Sequence, residues 1–106
     1  MKFEKFWKLL MENDNEFSLQ TLVQNKEFTI SKYSENSQIP TNSVLFVTPS
    51  STKNQRHIQK SEFLKVWEEA KQITDPFSPS NYTLSTRNSS YIVTLMRHFV
   101  SSEKIE

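Results

Sequence analysis

The chain has 106 residues, a formal net charge of +1 and 24% charged residues, which suits one domain with a single modest core. So balanced a charge excludes strong global attraction to nucleic acid or anionic lipid and leaves room only for a local patch. It has no cysteine, hence no disulfide or thiolate chemistry, and no glycine, which removes the Gly-rich phosphate loop, the dinucleotide fingerprint and the nucleophile elbow.

The apolar residues Phe3, Phe6, Trp7, Leu10 and Met11 recur at helical spacing and predict an amphipathic helix over 2–12, ended by Asn13-Asp14-Asn15. This start lacks the pattern of a secretory leader. Residues 17–23 read as a helical turn or irregular segment leading into a strand. Lys26 to Tyr33 alternates as a first strand, with Phe28 and Ile30 on one face and Thr29 and Ser31 on the other. A polar loop carrying Pro40 follows. Ser43 to Thr48 is a second strand, whose apolar run Val44-Leu45-Phe46-Val47 suggests a middle position covered on both sides. That run is the longest in the chain and far too short to span a membrane. The expectation is a cytoplasmic protein without membrane contact.

Pro49 to Asn54 makes a turn, and Gln55 to Gln59 returns as a third strand. Ser61 is placed to cap a helix running to about Ile73. Phe63, Val66, Trp67, Ala70 and Ile73 share one face of it, which should lie on the sheet. Pro76 and Pro79 follow its end, and Tyr82-Thr83-Leu84 reads as a brief extended piece. Asn88 or Ser89 then caps a last helix to about Val100, with Leu95, Met96 and Phe99 on its apolar face. Ser101 to Glu106 is expected to fray. The fold expected is α+β in a single domain: an N-terminal helix, a three-stranded antiparallel sheet over the following residues, and two C-terminal helices packed on one face.

Catalytic patterns are sparse. His57 and His98 stand far apart with no helical ligand spacing, so no metal site is expected. Glu69-Ala70-Lys71 matches the bare E-x-K element of metal-dependent nucleases, but on a predicted helix and without a preceding Pro-Asp; a solvated face fits it better. Neither a cofactor nor an enzymatic activity is expected. Basic residues offer more. Lys53, Arg56, His57 and Lys60 cluster on the third strand and its turn, and Arg87 precedes a helix N-terminus, where free N–H groups favour an anion. Of these, Lys53, Arg56, Lys60 and Arg87 are the candidate nucleic-acid contacts. The plain alternative is that Asn88, Ser89 and Ser90 are capping residues and the lysines keep an exposed strand soluble. The stripe Phe3, Phe6 and Trp7 is either core or a docking face for a second copy or another protein.

One resemblance extends over residues 17–100. Phe17 to Leu22 and Glu27 to Ile30 are followed by Arg56-His57-Ile58-Gln59-Lys60-Ser61-Glu62-Phe63, then by Arg87-Asn88-Ser89-Ser90-Tyr91-Ile92-Val93-Thr94-Leu95. This resembles a loosely defined accessory module of prokaryotic restriction-endonuclease-like and other mobile defence proteins, in which a small sheet runs into two motif-bearing helices. The resemblance implies a non-catalytic helper domain that touches DNA. The glycines that often mark that module's turns are absent here. A helix-turn-helix does not fit, because about a dozen residues with two prolines separate the last two helices, against a turn of about 3–4 residues in that motif.

Overall fold

The computed structural model describes residues 1–12, 18–21, 24–33 and 42–106. The Asn13-Asp14-Asn15 helix stop, Phe17, Leu22, Val23 and the stretch 34–41 with Pro40 lie outside these residues. In chain order the elements are α1 (Phe3–Met11), β1 (Ser18–Gln20), β2 (Glu27–Ser31), β3 (Val44–Pro49), β4 (Arg56–Gln59), α2 (Lys60–Ala70), a 3₁₀ helix (Pro79–Tyr82) and α3 (Ser89–Val100). The class is α+β, as the sequence pattern suggests, but among the described residues the sheet has four strands rather than three. They are antiparallel in the order β1-β2-β3-β4. The added strand is β1, where the sequence reads as a helical turn or irregular segment. Its three residues pair Leu19 with Phe28 and Gln20 with Glu27. A strand this short has no periodicity to detect, so only its partner defines it.

β3 is central but not covered on both sides. Leu45, Val47 and Pro49 are buried, while Val44, Phe46 and Thr48 are half-buried on the opposite face. One face of the sheet therefore supplies the core: Phe28, Ile30, Leu45, Val47 and Ile58 join the apolar stripes of all three helices. α2 begins directly from β4 and starts at Lys60, with Gln59 as N-cap. Glu62, not Ser61, completes that start: its Oε2 accepts the Gln59 N–H at 3.1 Å, as in a capping box. The helix ends at Ala70, short of Ile73. The expected extended piece at Tyr82 is instead the end of the 3₁₀ helix, with Pro79 in its first turn, where a missing N–H costs nothing. Tyr82 is fully buried and donates to the Pro76 carbonyl at 2.6 Å. Burial raises its pKa.

The N-terminal helix is an integral part of this core. Phe6 stacks on Trp67 with ring centroids 5.1 Å apart, and Phe3 meets the same indole edge-on at 5.7 Å. Trp7 packs edge-on against Phe63 at 5.3 Å and donates its indole N–H to the Asn42 carbonyl. Trp67 is thus covered by α1 rather than by the sheet alone. The chain end is held in place as well, contrary to the fraying expected from its polar sequence. Ser101 takes a positive φ of 56°, turning the chain back, and Ile105 is buried. The Trp67 indole N–H donates to a main-chain oxygen of Glu106 at 2.8 Å, and the Glu106 N–H donates to the Met1 carbonyl at 2.9 Å. The hydrogen bond from the amino group of Met1 to Oε2 holds the Glu106 side-chain carboxyl below its usual range.

Truncating Trp67 to alanine removes the ring that α1 and the C-terminal segment share. We expect it to cost about 3–5 kcal/mol, the range for large core aromatics, measured as a lower urea midpoint. A loss below about 1 kcal/mol would mean that α1 is not anchored there.

Candidate nucleic-acid interface

β4 is an edge strand, and its alternation places two kinds of groups at the rim of the sheet. Arg56 and Ile58 face the helices, while His57 and Gln59 face outward. Ile58 is fully buried, but Arg56 lies beyond the end of the core, with its guanidinium carbon 5.7 Å from the centre of the Tyr91 ring. Tyr91 packs edge-on against Phe28 at 5.0 Å. A ring fixed by the core therefore supports the Arg56 guanidinium. The N–H of Lys60 donates to the Ser43 carbonyl and that of Gln59 to Glu62, so main-chain groups turn alternately toward β3 and toward the free edge.

The segment before α3 is strapped to α2 by two carboxylates. Ser85 Oγ donates to Glu69 Oε1 at 2.5 Å. Thr86 Oγ1 and Asn88 Nδ2 donate to Glu62 Oε1 at 3.0 and 3.1 Å. The Asn88 N–H closes the loop on Thr86 Oγ1 at 3.0 Å. Thr86 and Asn88 are buried and the intervening Arg87 is exposed. Its backbone is thereby fixed on both sides while its side chain stays free. Asn88 is the N-cap position of α3 but makes no side-chain cap bond, since its amide is spent on Glu62.

These two constructions meet. A cleft of about 510 Å³ opens between the rim of β4 and the starts of α2 and α3, lined by Gln55, Arg56, His57, Glu62, Arg87 and Asn88. Neither guanidinium is ion-paired among the described residues. The two arginines are thus brought together with their charges uncompensated by direct contact, beside the positive ends of two helices. Such a lining can hold an oxyanion, with guanidinium forks from two sides and amide or imidazole groups between them. Among the described residues no group of His, Asp and Glu is placed to hold a metal ion, and no helix is long and apolar enough to cross a membrane.

The other sequence candidates fall elsewhere. Lys53 sits in the β3–β4 turn, exposed, with a positive φ of 58° and its N–H bonded to the Pro49 carbonyl at 2.8 Å. Lys60 leans the other way, with its ammonium 5.8 Å from the Trp7 ring centre. Neither lines the cleft. Phe3, Phe6 and Trp7, candidates for a docking face, are 5%, 0% and 6% exposed and offer no surface to a partner. Their greasy stripe is satisfied within the chain. Nothing in the sequence periodicity marks Gln55, Glu62 or Asn88 as members of the site, and His57 stands in the basic cluster without an assigned contact. The S-E-F start of α2 held a usable signal, because a Glu at the third helical position commonly reaches back to its cap.

No protein-family model, curated protein or solved structure matches the chain. The resemblance of residues 17–100 to the restriction-associated module gains no support from these comparisons.

Replacing Thr86 by valine deletes a donor to Glu62 and leaves the buried Asn88 N–H without its acceptor. The expected cost is about 1–3 kcal/mol, read from urea unfolding, with faster amide exchange at Asn88. Unchanged exchange at that amide would show that the strap does not hold the loop.

Proposed function

We propose that this chain is a small non-enzymatic binding module that contacts nucleic acid by holding backbone phosphate between Arg56 and Arg87. One observation carries the reading: two guanidinium groups from distant parts of the sequence line the same cleft, and no carboxylate of the described residues is ion-paired to either. A bidentate guanidinium matches phosphate geometry better than an ammonium does, and two of them on separate anchored elements fix its orientation. The supports differ in kind. Arg56 rests on the Tyr91 ring, and Arg87 is carried by a loop bonded to Glu62 and Glu69. His57 lies in the same lining and offers its ring nitrogens to sugar or base edges.

Phosphate contact of this kind positions a strand without reading its sequence. The overall charge of +1 limits long-range attraction, so affinity rests on local contacts. The biological setting suggested by the resemblance is a helper domain in a restriction or mobile defence system, acting beside a partner that supplies the chemistry.

Fluorescence anisotropy with a labelled oligonucleotide tests the reading. Arg56→Ala and Arg87→Ala should each weaken binding about tenfold or more, the scale of a lost charge-assisted hydrogen bond. Each should also flatten the dependence of log K on log salt by about 0.7–0.9, the increment for one phosphate contact. Lys53→Ala and Lys60→Ala should have smaller effects. Binding that ignores salt, or that survives loss of both arginines, would remove the proposal.

A further inference from the structure

The cleft is not uniformly basic. Glu62 belongs to its lining, and its carboxylate is fixed there by the Gln59 N–H at 3.1 Å, Thr86 Oγ1 at 3.0 Å and Asn88 Nδ2 at 3.1 Å. These donors come from the strand, the loop and the cap of α3, so the side chain cannot swing away without releasing all three. Two guanidinium charges against one carboxylate leave a lining with one net positive charge when His57 is neutral. Lys53 and Lys60 lie outside the cleft and do not change this balance.

Resting on the phosphate-binding reading above, we infer that the cleft selects a singly charged phosphodiester over a doubly charged phosphomonoester, and that Glu62 sets this preference. A diester linkage carries one negative charge. A monoester carries about −1.5 to −2 near neutral pH. Both guanidinium groups attract either charge, but a doubly charged group loses far more hydration on entering than a singly charged one. The Glu62 carboxylate cancels part of the guanidinium attraction that would offset this loss. At a separation of roughly 6 Å and an effective dielectric constant of about 40, the attraction it cancels for the second charge corresponds to about a tenfold change in affinity. The ligand class is therefore the interior of a nucleic-acid strand rather than a terminal phosphate, a free nucleotide or a phosphorylated side chain. Glu62 acts as a positioning residue too, because the bonds that hold it also hold the loop bearing Arg87.

The test is anisotropy at pH 8 and low salt with a labelled single-stranded hexathymidylate lacking terminal phosphates. Unlabelled competitors are the same strand with and without a 5′-phosphate, thymidylyl-thymidine with its single diester, and thymidine 5′-monophosphate. The wild type should bind both hexamers equally within about twofold and prefer the dinucleotide to the monophosphate by about tenfold. Glu62→Gln should erase that preference while Arg87 continues to contribute to binding, shown by a further loss in the double variant with Arg87→Ala. A terminal phosphate that strengthens wild-type binding fivefold or more, or a monophosphate competing as well as the dinucleotide, overturns the inference while leaving phosphate binding intact. Failure of the wild type to bind any of these strands overturns the phosphate-binding reading, and this inference with it. The wild-type competition alone decides the preference, so it stands or falls even where Glu62→Gln misfolds. A folded variant that keeps the wild-type preference removes Glu62 as its source.

Discussion

The stack of Phe6 on Trp67 is the contact on which the rest of the fold depends. Trp67 is wholly buried although it lies on a helix at the edge of a thin sheet, and a four-stranded sheet alone does not cover it. α1 closes that side, inserting Phe3, Phe6 and Trp7 among Phe63, Trp67 and Phe99. The C-terminal segment completes the enclosure by accepting the indole N–H, so that the buried donor is satisfied. Chain ends far apart in sequence thus meet over one ring. Burial of this aromatic cluster is a large share of what offsets the conformational entropy of so small a domain.

The same arrangement reaches the cleft through α2. Phe63 and Trp67 fix it in the aromatic cluster, and its N-terminal end continues without a break from β4. The helix is therefore a rigid bar between core and rim. Glu62 and Glu69 project from it toward the 83–88 segment and take its hydroxyl and amide donors. Arg87 is set beside Arg56 by this bar, since the loop has little apolar anchorage of its own: Leu84 is fully exposed. A polar strap suits such a segment because its hydrogen bonds are directional, whereas an apolar contact would fix depth but not orientation.

Much of the architecture could be read from periodicity. The stripes of α1 and α2 repeat at helical spacing, and Phe28 and Ile30 alternate as a strand must, so most of their buried residues followed directly; α3 instead buries Ile92 through Met96 and Val100 and leaves Phe99 half-buried, a broader surface than a single stripe. β1 escaped because three residues carry no period, and the held C-terminal segment escaped because nothing in Ser-Ser-Glu-Lys-Ile-Glu announces that Ile105 has a place to go. The candidate site was legible only in half. Arg56 and Arg87 stood out as cations next to turns and helix starts. That they share a cleft, and that Lys53 and Lys60 do not, depends on which way side chains leave β4 and on where the Thr86–Asn88 loop is tied.

What the sequence determined by itself is local: glycine-free turns, three amphipathic helices and alternating strands, because backbone sterics and burial period act over a few residues. The tertiary structure alone decided that α1 is core rather than a docking face, since a greasy stripe does not say what will cover it. It alone also decided that a carboxylate belongs to a cationic cleft. Charges and hydrogen bonds between distant segments are fixed only when packing brings those segments within a few ångströms, and no pattern along the chain encodes that meeting.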